Sequence, residues 1–126
     1  SAIGVTPDCG GSWNLVRLVG LRRAMALALM NEPLDAQEAL RIGVVNRVVR
    51  GADIGSETAK LARHLAAGAP VALGATKALL RSANLQSFAE QLDAEQKSFE
   101  HCAGTKDFRE ALEAFFAKRP PLFTGQ

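Results

Sequence analysis

The stretch that decides the fold lies near the start of the chain and reads Ile3-Gly-Val-Thr-Pro-Asp-Cys-Gly-Gly-Ser-Trp13, followed shortly by Leu-Val-Gly20. It joins a short apolar run to a Pro-Asp turn, two glycines and the start of an amphipathic helix. The turn places the carboxylate of Asp8 beside a helix N-terminus, where acid–base chemistry or anion binding is physically easy. Residues 3–13 therefore predict the end of a strand, a turn with functional potential and a helix.

Composition and charge indicate an ordinary globular chain. Of its 126 residues, 48% are hydrophobic and 22% are charged, and the net charge is +2. Basic and acidic residues are interleaved, which argues against a nucleic-acid partner. No apolar run is long enough to cross a membrane, and the two cysteines and two histidines are too scattered for a metal site. We therefore expect one domain or a piece of one, reduced and cytoplasmic, without a metal or a membrane segment.

The remaining pattern predicts a mainly α fold with one or two short strands. The β-branched run Val44–Val49 favours a strand, which would need another chain, a loop or further residues as its partner. Asp35 and Glu38 have the spacing of a capping box and predict a short helix that ends at Gly43. The other predicted helices cover residues 12–19, 21–30, 56–67, 71–82, a segment that opens at Ser87, and about 106–118.

Together these motifs resemble the crotonase (enoyl-CoA hydratase/isomerase) superfamily. The matching runs keep the family's order and comprise residues 3–13, 17–20, 24–29, 33–39, 43–49 and 114–125. The resemblance spans almost the whole chain but only the C-terminal half of such a protein. It implies the helical part of an α/β crotonase-type fold, in which residues 1–50 end the core and residues 51–126 form a trimerisation and lid region. A homo-trimer or hexamer is the implied assembly.

The resemblance also implies chemistry on acyl-CoA thioesters, with coenzyme A carried by the substrate and no separate cofactor. The version of the motif around Asp8 is similar to the enoyl-CoA isomerase branch, which includes a ring-epoxide isomerase of phenylacetate catabolism. One carboxylate can remove and return a proton while an oxyanion hole holds the enolate, so Asp8 is the predicted catalytic residue. The alternative is a hydratase, whose catalytic Glu would lie upstream of Ser1.

Several further residues are predicted to bind the substrate, each with a structural alternative. Asp8 would otherwise cap the first helix, the glycines would serve close packing, and Trp13 would lie in the core. The phenylalanines would form a packed stripe, and the Lys-Arg end of the last helix would be solvated. The predicted substrate-binding residues are Pro7, Gly10, Gly11, Trp13, Phe115, Phe116 and Lys118.

Two other functions compete with catalysis by this chain. Its Ala- and Leu-rich helices also suit a non-catalytic oligomerisation module that buries a subunit interface. A helix-turn-helix DNA-binding domain is disfavoured by the β-branched run and the low charge. The resemblance implies that two backbone N–H groups of the oxyanion hole come from the upstream half of the full-length protein. The 126-residue chain alone is therefore expected to be inactive.

Overall fold

The computed structural model describes residues 3–126, whose contacts form two compact units that meet in sequence between Ile54 and Gly55. The predicted mainly α class is confirmed. The helices are α1 (Gly11–Val19), α2 (Leu21–Met30), α3 (Ala36–Arg41), α4 (Ile54–Ala66), α5 (Pro70–Ser82), α6 (Phe88–Ala103) and α7 (Lys106–Phe116), with short 3₁₀ turns at Gly51–Asp53 and Ala83–Leu85.

A small apolar cluster holds the first unit together. Val19 at the end of α1 packs with Ala24 of α2 and with Ile42, which follows α3. Gly20 joins α1 to α2 with a φ of 78°, a conformation that glycine adopts without strain. The resulting sharp bend lets the two helices pack against each other. Partly buried side chains complete the cluster, namely Leu15, Leu27 and Val44.

The strand predicted over Val44–Val49 is wrong, as is the strand end predicted over residues 3–5, because no strand forms between residues 3 and 126. The amides of Val44 and Val45 instead both donate to the carbonyl of Ala39, at 2.9 and 3.3 Å. β-branched residues favour a strand only where a neighbour completes the hydrogen-bond ladder. This run has no such neighbour in the described part of the chain, so local contacts with the end of α3 replace the ladder.

The predicted capping box of α3 is half formed. The side chain of Asp35 accepts from the amide of Glu38 at 2.8 Å, as expected of an N-cap. The carboxylate of Glu38 does not complete the box but pairs with Arg41, one turn further along the helix. The hydrogen bond from Arg41 lowers the pKa of the Glu38 carboxyl.

Side-chain caps also begin the later helices of the second unit. Ser87 and Glu90 form a complete capping box, in which the Ser87 hydroxyl accepts from the Glu90 amide at 3.3 Å and the Glu90 carboxylate accepts from the Ser87 amide at 2.7 Å. The hydroxyl of Thr105 accepts from the amide of Phe108 at 3.1 Å and caps α7. The predicted opening of α6 at Ser87 is therefore confirmed.

The last residues of the chain, which we call the C-terminal segment (residues 122–126), are fastened to the start of α7. Asp107 is only 3% exposed, and its carboxylate accepts from the amides of Thr124 and Gly125 at 2.7 and 2.9 Å. The carbonyl of Gln126 accepts from the first two amides of α7 at 2.6 and 3.2 Å. A buried charge is tolerated here because backbone donors surround it.

The described residues provide neither a membrane-spanning helix nor a cluster of metal-binding side chains. Over residues 3–126, no helix combines the length and the apolar character needed to cross a membrane. Nor does this part of the chain group three His, Cys, Asp or Glu side chains in a way that would hold a metal ion.

Candidate active site

Asp8 opens a tight turn that leads directly into α1. Its main-chain carbonyl accepts from the amide of Gly11 at 2.7 Å and so closes the turn over Cys9 and Gly10. These two central residues have φ angles of 50° and 79°, which is the pattern of a type I′ turn. A left-handed conformation costs a residue with a Cβ roughly 1–2 kcal/mol. The fold therefore holds a strained residue next to the predicted catalytic carboxylate, as functional turns often do.

The side chain of Asp8 is exposed and does not cap α1. The N-cap of this helix is Gly10, and no side chain of the described residues makes a cap hydrogen bond there. The alternative in which Asp8 merely caps the helix is therefore wrong. Its role as the catalytic base stays a prediction.

The two glycines of the turn have different explanations. Gly10 is required by its positive φ, and a Cβ there would also stand 3.3 Å from the Nδ2 of Asn14. At Gly11 the φ is ordinary, and a Cβ would make only van der Waals contact, at 3.7 Å from the Cβ of the exposed Pro7. Packing of the described residues thus gives no reason for a glycine at position 11, and close approach of a ligand remains the prediction there.

Trp13 stands on the first turn of α1 with its ring half exposed, so the alternative that places it in the core is wrong. The guanidinium of Arg17 lies 3.5 Å from the centroid of the indole ring, and its Nη1 donates to the Trp13 carbonyl at 3.3 Å. This cation–π pair holds the indole ring in its orientation on the helix. Sequence reasoning missed the role of Arg17, although the i, i+4 spacing of an aromatic and a basic residue on a helix was available as a signal.

The second group of predicted residues surrounds the end of α7. This helix ends at Phe116 rather than near the predicted Lys118, which adopts a positive φ of 51° beyond it. Phe115 and Phe116 are largely exposed and stack edge to face with their centroids 5.6 Å apart. The packed-stripe alternative is therefore wrong for these two rings. A third ring of α7, Phe108, packs edge to face with Phe99 of α6, with the ring centroids 6.5 Å apart.

The alternative of a solvated Lys-Arg end is wrong for Arg119. Its two terminal nitrogens donate to the two carboxylate oxygens of Glu110 at 2.6 and 2.9 Å, and the amide of Leu122 donates to the same carboxylate at 2.8 Å. These donors, with Arg119 first, lower the pKa of Glu110 to about 2. Lys118 has no ion pair among residues 3–126. No local motif indicated Glu110, because its partners lie beyond the end of the helix.

The structure thus gathers the predicted residues into two groups, one in each unit. Within the first unit, the turn and the start of α1 bring five of them together: Pro7, Asp8, Gly10, Gly11 and Trp13. Within the second unit, the end of α7 brings together Phe115, Phe116 and Lys118.

Comparison with known proteins gives a consistent result. A family model described as "Enoyl-CoA hydratase/isomerase" matches residues 1–126. The 1,2-epoxyphenylacetyl-CoA isomerase of Escherichia coli K12 is 41% identical over 127 residues, which cover 100% of this chain and 48% of the relative. The short-chain-enoyl-CoA hydratase of Clostridium acetobutylicum is 34% identical over 93% of this chain and 45% of its own length.

Solved structures agree with the sequence relatives. The enoyl-CoA hydratase of Bacillus anthracis superposes with a TM-score of 0.94 at 30% identity, over 99% of this chain and 48% of the other. The chain therefore spans about half the length of the relatives that it matches. Because the family model covers every residue of the sequence, the chain belongs to the enoyl-CoA hydratase/isomerase family.

Proposed function

We propose that this chain is part of an acyl-CoA double-bond isomerase in which Asp8 shuttles the proton. The observation that carries the proposal is the exposed Asp8 carboxylate, which is not used as a helix cap and stands beside the strained Cys9. Similarity to the Escherichia coli isomerase over the full length of the chain supports the same reaction class. Asp8 belongs to the run on which the resemblance to the isomerase branch rests.

The proposed reaction needs one base. The Asp8 carboxylate removes a proton α or γ to the thioester carbonyl, and the electron pair of that C–H bond moves into an enolate. The protonated Asp8 then returns the proton at the other position, so that the double bond moves and no atoms are gained or lost. The resemblance assigns the enolate oxygen to two upstream backbone N–H groups. Gly11 leaves room for the substrate, while Pro7, Gly10 and Trp13 shape the site around it.

The end of α7 is the proposed contact for coenzyme A. Arg119 is engaged by Glu110, whereas Lys118 is exposed and forms no ion pair within the described residues. Its ammonium group suits a phosphate as a point charge. Phe115 and Phe116 offer exposed ring surface for the acyl or adenine group. This assignment is drawn from the family resemblance together with the exposure of the three side chains.

The test is the Asp8→Asn substitution in the full-length protein. We expect kcat for double-bond isomerisation of an acyl-CoA to fall about 100- to 10,000-fold, because the amide cannot accept the proton, while KM changes little. Asp35→Asn is the matched control, since it alters an N-cap in the same unit and leaves turnover unchanged. An Asp8→Asn enzyme that isomerises at the normal rate contradicts the proposal.

Enoyl-CoA hydration is the second candidate, favoured by the hydratases among the relatives. In this alternative the catalytic Glu lies upstream of Ser1, so that hydration does not require Asp8. The same variant separates the two reactions. If the full-length protein adds water to an enoyl-CoA and Asp8→Asn retains most of that activity, hydration by an upstream Glu replaces isomerisation as the function.

For the assembly we propose a homo-trimer or hexamer, as the family resemblance implies. α2 supports this because it exposes apolar side chains at i, i+4 and i+8, namely Leu21, Met25 and Leu29. Sedimentation of the full-length protein should give the trimer or hexamer mass, and Met25→Glu should shift it toward smaller species. If the wild-type protein sediments as a monomer, both the proposed trimer or hexamer and the alternative of an oligomerisation module are contradicted.

We also propose that the 126-residue chain alone is inactive, since the family resemblance assigns the oxyanion donors to upstream residues. An acyl-CoA turnover assay of the purified chain should give the rate of buffer alone. Enzyme-level isomerisation by this chain would show that residues 1–126 supply their own oxyanion hole.

A further inference from the structure

The second unit contains an apolar cavity of about 140 Å³ that the proposed function does not use. Its walls come from the start of α5, the end of α6, the start of α7 and the C-terminal segment. Small side chains leave the space open, among them Ala72 and Ala111, while Phe108 and Phe123 supply aromatic walls. A benzene ring fits in a dry apolar cavity of this order of size.

The polar groups in the wall are already used by the fold. The Thr105 hydroxyl donates to the Cys102 carbonyl at 2.7 Å and accepts from the Phe108 amide at 3.1 Å. The Asp107 carboxylate accepts from the amides at positions 124 and 125. A trapped water needs two to four polar partners, and these groups are committed elsewhere. The cavity is therefore suited to an uncharged apolar occupant rather than to water or an ion.

The C-terminal segment forms one wall of the cavity that belongs to no helix. Phe123 lines the cavity, and the residues that follow it are held by Asp107. Gly125 seats this segment closely on α5, because a Cβ there would stand 2.9 Å from the Cγ of Pro70 and the residue has a φ of 79°. Lifting the segment would open the cavity without unfolding a helix.

We propose that this cavity binds a neutral apolar group of about the size of benzene, and that the C-terminal segment closes over it. Cys102 reports on the site because it lines the cavity and is a free thiol. Cys9, in the first unit, is exposed and gives an internal reference in the same molecule. The proposal does not depend on the reaction that the full-length protein catalyses.

The first experiment measures the alkylation rate of each cysteine by peptide mass spectrometry, with benzene as the probe. With benzene at about ten times its dissociation constant, labelling of Cys102 should slow about tenfold, since only the empty form reacts, while labelling of Cys9 is unchanged. Benzoate, which carries a charge on the same ring, should not protect. Absence of protection by benzene, equal slowing of both cysteines, or equal protection by benzoate overturns the proposal.

Variants test the location and the closing segment. Ala72→Leu fills the cavity and should abolish protection by benzene, whereas Ala78→Leu, on the exposed part of the same helix, should not. Ala111→Val serves the same purpose with a smaller change if Ala72→Leu does not fold. Persistent protection in a folded cavity-filled variant contradicts the site.

Gly125→Ala should lift the C-terminal segment and speed Cys102 labelling severalfold. Gly43→Ala is the matched control, because its φ of 83° imposes the same backbone strain while a Cβ would meet nothing within 4 Å. An unchanged Cys102 rate in Gly125→Ala, or the same acceleration in Gly43→Ala, contradicts closure by this segment.

Discussion

In the first unit, α1 begins on a turn with two consecutive positive φ angles and without a side-chain cap, and its predicted catalytic carboxylate is exposed. In the second unit, α6 and α7 begin on hydroxyl caps, and two carboxylates of α7 hold the chain that follows the helix. Acidic residues thus serve different purposes in the two units. Asp107 and Glu110 hold the chain that follows α7, whereas the exposed Asp8 makes no cap hydrogen bond to α1.

The largest effect on stability is expected from Asp107→Ala. It leaves the amides of Thr124 and Gly125 without their charged acceptor, and we expect the free energy of unfolding to fall by about 3 kcal/mol. Urea denaturation followed by circular dichroism measures the loss, and hydrogen exchange at the two amides should accelerate. Asp93→Ala, at an exposed position of α6, should change stability by less than about 0.5 kcal/mol. If both variants lose the same free energy of unfolding, the buried Asp107 contributes no more to stability than an exposed carboxylate does.

Acid should weaken the hydrogen bonds that the Glu110 carboxylate accepts from Arg119 and from the amide of Leu122. The pKa of this carboxyl falls from 4.5 to about 2 in the folded chain, so its contribution to stability is present above pH 4.5 and is lost as the pH falls toward 2. We expect the protection factor of the Leu122 amide, which compares its exchange rate with that of an unstructured peptide at the same pH, to fall over this window. In Glu110→Gln the protection factor should already be low at neutral pH and nearly constant as the pH falls, whereas Asp93→Asn should behave as the wild type. If the Leu122 amide of Glu110→Gln responds to pH as in the wild type, Glu110 is not the group that causes the response.

The strained turn predicts opposite effects at two adjacent positions. Cys9→Gly should raise the free energy of unfolding by about 1 kcal/mol because the left-handed conformation no longer crowds a Cβ, while Gly10→Ala should lower it by a similar amount. Denaturation followed by the fluorescence of Trp13, the single tryptophan, reports on this unit. Cys9→Ala retains the Cβ and should give no gain. If it stabilises as much as Cys9→Gly, strain is not the cause.

The smallest effect is expected at Arg17. Arg17→Ala removes the cation above the indole, and at this exposed site the loss should be about 0.5–1 kcal/mol. The Trp13 emission spectrum should shift as the ring gains contact with water. Arg22→Ala, on α2, is the control and should leave the spectrum unchanged. An unshifted spectrum in Arg17→Ala would mean that the ring is positioned by other contacts.

Helix positions were predictable because local signals determine them. The periodic apolar residues and the caps at Asp35 and Ser87 are short-range features, and the structure has a helix at each of those places. Helix α7 ends before the predicted Lys118, because that residue adopts a positive φ. The amides of Lys118 and Arg119 donate to the carbonyls of Phe115 and Ala114 at 3.2 and 3.0 Å, and this local turn closes the helix.

The wrongly predicted strand and the unpredicted burial of Asp107 share one physical cause. Val44–Val49 has strand propensity, but strand formation depends on a partner that propensity does not supply. Asp107 reads in the sequence as one charge among several in the first turn of a helix, and its burial follows from amides 17 and 18 residues away. At the candidate site, the family motif located the turn at Asp8. The positive φ of Cys9 and the Arg17 guanidinium over the Trp13 ring are visible only in the structure.

The hydrogen bonds of Gln126 have a practical consequence for handling the protein. Its carbonyl caps the beginning of α7, so the backbone at residue 126 is already engaged. An affinity tag fused directly to that residue would disturb these hydrogen bonds and would pull on Gly125. A tag placed elsewhere in the protein leaves this corner undisturbed.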